Sequence, residues 1–576
     1  MTPTEALRIL PLSENERLAV GSPASVVQAE GQSASPVFVR DATGLVKNVS
    51  FFDSIALNLS NMSIGALLGL IGLSGLLPML FVGQDLTGVN LVYLSVIGFL
   101  VAVPQIVIYT VLTRRYPRAG GDYVFVSRNL GGFVGSVASF VGYTTETTAY
   151  LALIALSTVF AIGGVGLFFS SSSSFYLGLA TPQGAYPGAP AAPSWQFVIG
   201  ILIFAILIGI NIVRPKAGYR VVSILTIVGI VALLTAIGTY LAVGPHGVQN
   251  YINGVTGNGL FTNSSAPSST YANVAAGINT GGPGGSTGFA WGPTIFLLPL
   301  IAAFVFPWLN AAPAVAGEIK GKSALRWNVP ISAVLAFAFL IGSIGVMYWA
   351  GGQQFINGAF STPAYVYGMP VGFNFWTLAM GLSGNSVVAA FIGLGWIFAN
   401  LGILAYGIIV ISRYLLAQSF DRFLPSTISD VNPRFGSPVK AFIISLVVSI
   451  FLVGYAAYNY TTSTLGAGTN PLFGAILASM IYFMIVGLAA IVHGIRKETG
   501  IVKVILPLAG VGNILVFGFI AYQFLAYQSM WSINSFTFSW LIGCLLLGIV
   551  LFVGSYYYNK RRGININLAY KEIPPE

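Results

Sequence analysis

The sequence predicts an all-α polytopic membrane protein with twelve transmembrane helices. The first ten form a 5+5 inverted repeat, and two more are appended at the C-terminus. Three observations predict it. Of 576 residues, 56% are apolar and only 7% charged, whereas a soluble chain carries about 25% charged residues on its surface. Many apolar stretches exceed the roughly 18 residues that cross a bilayer. The basic residues, finally, all fall on one face.

Hydropathy places spans 1–5 near 52–82, 89–112, 131–168, 196–213 and 219–243. Spans 6–10 lie near 293–316, 330–351, 385–412, 439–459 and 471–493, and spans 11 and 12 near 504–527 and 536–558. The chain then divides into a mobile N-terminal tail (1–50), a first repeat (51–243), an extracellular loop (244–292) and a second repeat (293–494). The last two helices (495–559) and a short tail (560–576) complete it. Lys and Arg are retained on the cytoplasmic side. With twelve spans, all 25 basic residues, from Arg8 and Lys47 through Arg114, Lys320 and Arg413 to Lys560, share one face. Both termini are therefore expected in the cytoplasm, at a cell membrane.

The net charge of +10 thus has a topological cause, and no nucleic-acid partner is expected. The opposite face has Asp85 as its only carboxylate and loops of Ser, Thr, Asn, Gly and Pro. That suits an acidic exterior as well as it suits a plain positive-inside bias. The sequon at Asn263 is a glycosylation acceptor if the host glycosylates. One cysteine, Cys544, and two histidines, His246 and His493, leave no disulfide framework and no zinc or haem constellation. No cofactor, metal or catalytic residue is expected.

Five is odd, so a second five-helix copy enters the membrane from the opposite side. Proteins of that plan bind where the leading helix of each half is broken. Span 1 carries Asn58, Ser60, Asn61, Ser63 and Gly65, which compete for backbone hydrogen bonds or ease departure from helical geometry. Span 6 carries Pro307 and Pro313, which cannot continue a helical ladder. Both leading spans are expected to unwind, freeing N–H groups for a carboxylate and carbonyls for an ammonium.

Three further segments carry a family resemblance. Tyr116-Pro117-Arg118-Ala119-Gly120-Gly121-Asp122-Tyr123, then Phe125, Ser127 and Arg128, follows span 2. Glu318-Ile319-Lys320 with Arg326 and Pro330 follows span 6. Ser412-Arg413-Tyr414 through Asp421-Arg422-Phe423-Leu424-Pro425 and Ser437-Pro438 follows span 8. Together they resemble the amino acid–polyamine–organocation transporters, of amino acid permease type, over about residues 50–560. The resemblance implies a leucine-transporter-like fold and an amino acid or related amine as substrate. It places the binding segments on Met62, Ser63, Ile64, Gly65 and Ala66 of span 1 and on Phe304, Val305, Phe306 and Trp308 of span 6, with an aromatic at Tyr406. The sequence departs from the family at Asn310, which replaces a glutamate, and at Gly229, which stands where some members carry a lysine.

Glu146, flanked by Thr145 and Thr147 inside span 3, is the candidate for coupling, since burial disfavours its ionised form. The same threonines suit a purely structural acid. Asp53, at the mouth of span 1, is expected to cap or gate. The sequence thus reads as a secondary active transporter of neutral or apolar amino acids, working by alternating access and coupled to protons. An exchanger without ion coupling is the alternative. A channel and a membrane-embedded enzyme stay open as other classes, although the scattered carboxylates argue against catalysis. Monomer and homodimer are both open.

Overall fold

Burial separates the helices into inner and outer sets, and that separation positions everything else. The computed structural model describes residues 45–70, 87–170, 172–180, 192–255, 270–276, 285–361, 374–459, 472, 474–528, 531 and 533–571. Residues 1–44 of the tail, Asp85 and the sequon at Asn263 lie outside these. The described residues belong to one compact unit, Arg40–Glu576. Among them are helices and isolated bridges but no strand.

Leaving aside the short helices Ser174–Ala180, Gly247–Val255, Thr270–Ala276, Gln353–Ser361 and Ile566–Ala569, the helices in chain order are α1 (Phe51–Asn61), α2 (Ile64–Leu70), α3 (Leu91–Arg115), α4 (Asp122–Leu130) and α5 (Gly132–Ser139). One π-helical turn, Phe140–Thr145, joins α5 to α6 (Glu146–Phe169), and α7 (Pro193–Val213) and α8 (Pro215–Val243) follow. Next come the short α9 (Trp291–Phe296), α10 (Leu298–Ala302) and α11 (Ala311–Ala314), then α12 (Lys322–Gly351), α13 (Phe375–Leu382) and α14 (Ser386–Phe420). The last are α15 (Val439–Asn459), α16 (Ile476–Lys497), α17 (Val502–Ala526) and α18 (Ser535–Arg561). Among the described residues, eleven helices are long and apolar enough to cross a bilayer, counting Phe51–Gly69 and Gly132–Phe169 as continuous. The segment expected as span 6 is not among them, because it is cut into α9, α10 and α11.

In the apolar 18-residue stretch of each helix, 72% of residues are buried in Gly132–Phe169 and 67% in Ile476–Lys497, against 17% in Ser535–Arg561. The outer helices leave Leu202, Ile227, Leu508 and Val550 exposed. Lipid is their solvent, so an exposed apolar face is the expected one. The inner helices instead pack small residues closely: a methyl added at Gly407 of α14 would meet Leu151 of α6 at 2.5 Å.

Buried ion pairs tie the ends of the inner helices on the basic face. Arg413 of α14 donates from Nε to Glu318 Oε1 at 2.8 Å and from a terminal nitrogen to Oε2 at 3.0 Å. Tyr219 of α8 donates to the same carboxylate at 2.8 Å. Arg128 of α4 makes a bidentate pair with Asp421, which also accepts from Tyr123 Oη at 2.7 Å. Asp53 and Ser50 form a capping box at α1, and Ser223 of α8 donates to Asp53 at 2.5 Å. Two main-chain bonds join the segment before α1 to the one after α11: Val49 N–H to Glu318 O and Lys320 N–H to Val49 O, each 2.9 Å.

Two outcomes follow from these contacts. Arg413→Met strands the Glu318 carboxylate in a dry site, which costs about 3–5 kcal/mol; the purified protein should melt well below the parent, and Arg413→Met/Glu318→Leu should recover part of the loss. At the ends of α3 and α16, Glu498 accepts two bonds of 2.7 Å from Arg115 and pairs with His493 at 3.0 Å. Burial pushes the Glu498 carboxyl up, but Arg115 and His493 outweigh it and hold it below its ordinary value of 4.5. With the folded value the lower one, this contribution is complete above the unfolded value and disappears as pH falls through the folded one. Melting temperature against pH should therefore fall more steeply on acidification below about 4.5 in the parent than in Glu498→Gln.

Candidate functional site

The first span breaks between α1 and α2. Met62 ends α1, and Ser63 takes a left-handed conformation with φ 57°. That conformation costs a non-glycine residue roughly 1–2 kcal/mol. Ser63 Oγ donates to the carbonyl of Asn61 at 2.8 Å, so the hydroxyl occupies an acceptor that the broken ladder released. Gly65 does not supply the turn; it is helical. A methyl added there would meet Ala399 of α14 at 2.5 Å, so its role is close approach.

The second break runs from Ala303 to Asn310, between α10 and α11. Its backbone groups are satisfied from the side. Gln105 of α3 donates to the carbonyl of Pro307 at 3.0 Å, and Trp308 Nε1 donates to that of Ala303 at 3.0 Å. The N–H of Ala312 donates to Asn58 Oδ1 at 2.9 Å. The two breaks are joined directly: Asn61 Nδ2 donates to Asn310 Oδ1 at 3.0 Å.

Asn310 then donates to Asp122 at 3.2 Å. Asp122 opens α4 and is fully buried. It accepts from Tyr109 of α3 at 2.5 Å, from Tyr482 of α16 at 2.8 Å and from Tyr414 of α14. The carboxylate is thus held by four neutral donors from separate elements. Among the described residues it has no ion-pair partner within 4.0 Å.

The expected site residues divide. Ser63 lies beside Tyr150 of α6, and Tyr150 stacks on Trp308 with ring centroids 5.9 Å apart and planes at 7°. Tyr406 of α14 is buried within electrostatic reach of Tyr143, Tyr150 and Glu146. Ser63 and Trp308 therefore meet at Tyr150 of the third span, with Tyr406 and Glu146 in the same buried region. Phe304 and Phe306 do not join them: Phe304 pairs with Phe524 of α17 and Phe306 with Phe99 of α3. Val305 and Met62 are fully buried in the core. Ile64 and Gly65 line a cavity of about 60 Å³ with Ser60, Thr226, Gly229 and Trp376, and Ala66 is buried alongside in α2. Among the described residues no Asp, Glu, Lys, Arg or His lines this cavity, and Ser63 lines it too.

Glu146 follows the π-helical turn, is buried, and accepts from Thr147 Oγ1 at 3.2 Å, with Ser479 alongside. Such turns inside α-helices are frequent at functional sites. One polar atom at the first break, Asn61 Oδ1, is buried without a hydrogen-bond partner among the described residues. Asp122 and Tyr150 are the residues that sequence reading missed. Asp122 was visible as a carboxylate in the Gly120-Gly121-Asp122-Tyr123 segment. Nothing in the sequence set Tyr150 apart from other tyrosines in apolar helices.

Two interrupted helices facing each other inside a helical membrane bundle, with side-chain amides between them, are the construction of a secondary transporter's binding site. Family comparison agrees. The family model described as amino acid permease matches residues 49–552, and the chain belongs to that family, one of transporters and not of enzymes. The chain is also 33% identical over 87 residues to "Uncharacterized protein 399" of Sulfolobus islandicus rod-shaped virus 1. That stretch is 15% of this chain and 20% of the relative, so the chain spans only a fifth of the relative's length.

Removing the Asp122 acceptor tests the arrangement. Asp122→Ala leaves three tyrosine hydroxyls and one amide unsatisfied, at about 1–3 kcal/mol each. A large drop in melting temperature is expected, with Tyr482→Phe, which removes one donor, causing only a small one. Equal effects of the two would show that the carboxylate does not organise this region.

Proposed function

We propose that this protein is a secondary active transporter that carries neutral or apolar amino acids across the membrane by alternating access. The observation that carries the reading is the pairing of the two breaks through Asn61 and Asn310, with a buried acceptor, Asn61 Oδ1, left unpartnered beside them. An unpaired buried acceptor costs about 1–3 kcal/mol, and the ammonium of a zwitterion would satisfy it. The substrate carboxylate would take backbone N–H groups near Ser63. Trp308, Tyr150 and Tyr406 would close over the side chain. Asp122 is saturated by its donors, and among the described residues no basic side chain bonds to either break, so nothing described there selects an acidic side chain.

In this reading twelve spans form a 5+5 inverted repeat plus two helices, with α9–α11 as the sixth span and both termini cytoplasmic. The basic face is then the inner one. Its closing contacts, Val49 to Ile319 and Arg413 to Glu318, must separate when the site opens inward. Glu146 is the proton carrier in this reading, because it is a buried carboxyl directly after the π-helical turn of the third span and has neutral hydroxyls, not a cation, as its partners. A specific observation supports a second reading: Thr147 already satisfies Glu146, which suits a structural acid in an exchanger.

Uptake of radiolabelled amino acids into proteoliposomes, with and without an inward proton gradient, decides between them. Saturable uptake that rises with the gradient is expected. Glu146→Gln should abolish accumulation by at least tenfold, roughly the loss of an obligatory protonation step, while sparing exchange against preloaded amino acid. Uphill uptake unchanged in Glu146→Gln would remove the coupling role, and transport of no amino acid would remove the substrate class.

A further inference from the structure

The basic face is not uniformly basic. Most of its buried arginines are matched by a carboxylate: Arg413 by Glu318, Arg128 by Asp421. Elsewhere five cations converge on one cleft of about 630 Å³: Lys47, Arg114, Arg115, Lys322 and Arg326. They come from three places in the chain, the segment before α1, the end of α3 and the start of α12. Among the described residues no carboxylate lines the cleft. Glu498 matches Arg115 from behind, and among the described residues Arg114 and Lys322 make no ion pair within 4.0 Å. A general bias of basic residues to one face requires them at this depth but does not require them to converge.

The other wall of the cleft is apolar. Trp327 and Val502 line it, and Arg326 lies over the Trp327 ring at 5.0 Å. Trp327 is 45% exposed, and one turn into α17 Val504 and Ile505 are exposed too. An exposed tryptophan beside exposed aliphatic side chains marks the boundary between headgroups and hydrocarbon. The cleft therefore offers cations on one side and an oily rim on the other. A free anion would use only the first; a phospholipid uses both.

We infer that this cleft is a binding site for the phosphate headgroup of an anionic lipid, whose acyl chains lie along α12 and α17. Basic pockets between transmembrane helices bind such headgroups by charge and depth together. Arg114 and Arg326 supply planar donors for phosphate oxygens, and Lys47 and Lys322 close the cleft from the segments flanking the Val49–Ile319 bridge. A bound lipid thereby ties the segment before α1 to the ends of α3 and α12.

Electron spin resonance of the full chain in phosphatidylcholine vesicles tests this, with spin-labelled phosphatidylglycerol or phosphatidylcholine as probe. The immobilised fraction should favour phosphatidylglycerol. Arg114→Gln/Lys322→Gln/Arg326→Gln should reduce that preference by about fivefold or more, at roughly the worth of a surface charge each. The charge-keeping Arg114→Lys/Arg326→Lys variant should retain most of it, which separates lost charge from misfolding. Lys560→Gln/Arg561→Gln/Arg562→Gln, at the far end of α18, should leave it unchanged. Equal immobilisation of the two lipids overturns the site, as does a preference that survives the first triple substitution. If inorganic phosphate at constant ionic strength abolishes the preference, the cleft takes free phosphate and the lipid assignment is overturned.

Discussion

An unwound backbone inside a membrane has no water to satisfy it, and the rest of this structure follows from that constraint. Each orphaned N–H or carbonyl at membrane depth needs a partner from protein. Here the partners are polar side chains. Asn58 of α1 and Gln105 of α3 reach across to backbone groups of the second break and α11, Ser63 and Trp308 donate to freed carbonyls, and the amides of Asn61 and Asn310 link the two breaks to each other. An amide both donates and accepts, so one residue can satisfy two elements without introducing charge. The breaks are thus a single connected object, and a change at one is felt at the other.

The carboxylates of the interior divide by the kind of partner they have. Glu318 and Asp421 face guanidinium groups and hold helix ends together on the basic face. Asp122 faces only neutral donors, three phenols and an amide. Glu146 faces the hydroxyls of Thr147 and Ser479, again neutral donors. Ion pairs are strong where they are dry but must break as units, which suits contacts that define one conformation. A carboxylate held by hydroxyls and amides can exchange partners singly. Asp122 and Glu146, and not the ion pairs, stand near the breaks.

Membership of the amino acid permease family and the geometry of the breaks constrain different things. The family supplies the class of protein. The geometry narrows which residues of the expected binding segments face one another: Ser63 and Trp308 meet at Tyr150, whereas Phe304 and Phe306 turn to other helices. The residue between them in that segment, Val305, is core. A segment is therefore too coarse a unit for a binding site when its helix is unwound, because side-chain direction no longer follows a fixed period.

The sequence by itself determined that the chain is helical and membrane-spanning, because a 7% charged chain admits no other solvent and only helices or closed barrels satisfy their backbone in lipid. It also determined where the helices fail: Pro307 cannot continue a ladder, and Asn58 to Ser63 compete with one. Both signals are local, so they are legible along the chain. Only the tertiary structure decided that Ser63, not Gly65, takes the left-handed turn, since close packing of Ala399 against Gly65 had already claimed the glycine. The tertiary structure likewise decided that Asp122 would be met by Tyr109, Tyr414 and Tyr482. Those tyrosines lie on three different helices, at separations no periodicity relates. Which of 27 tyrosines reaches a buried carboxylate depends on helix packing, and packing is a property of all the helices at once.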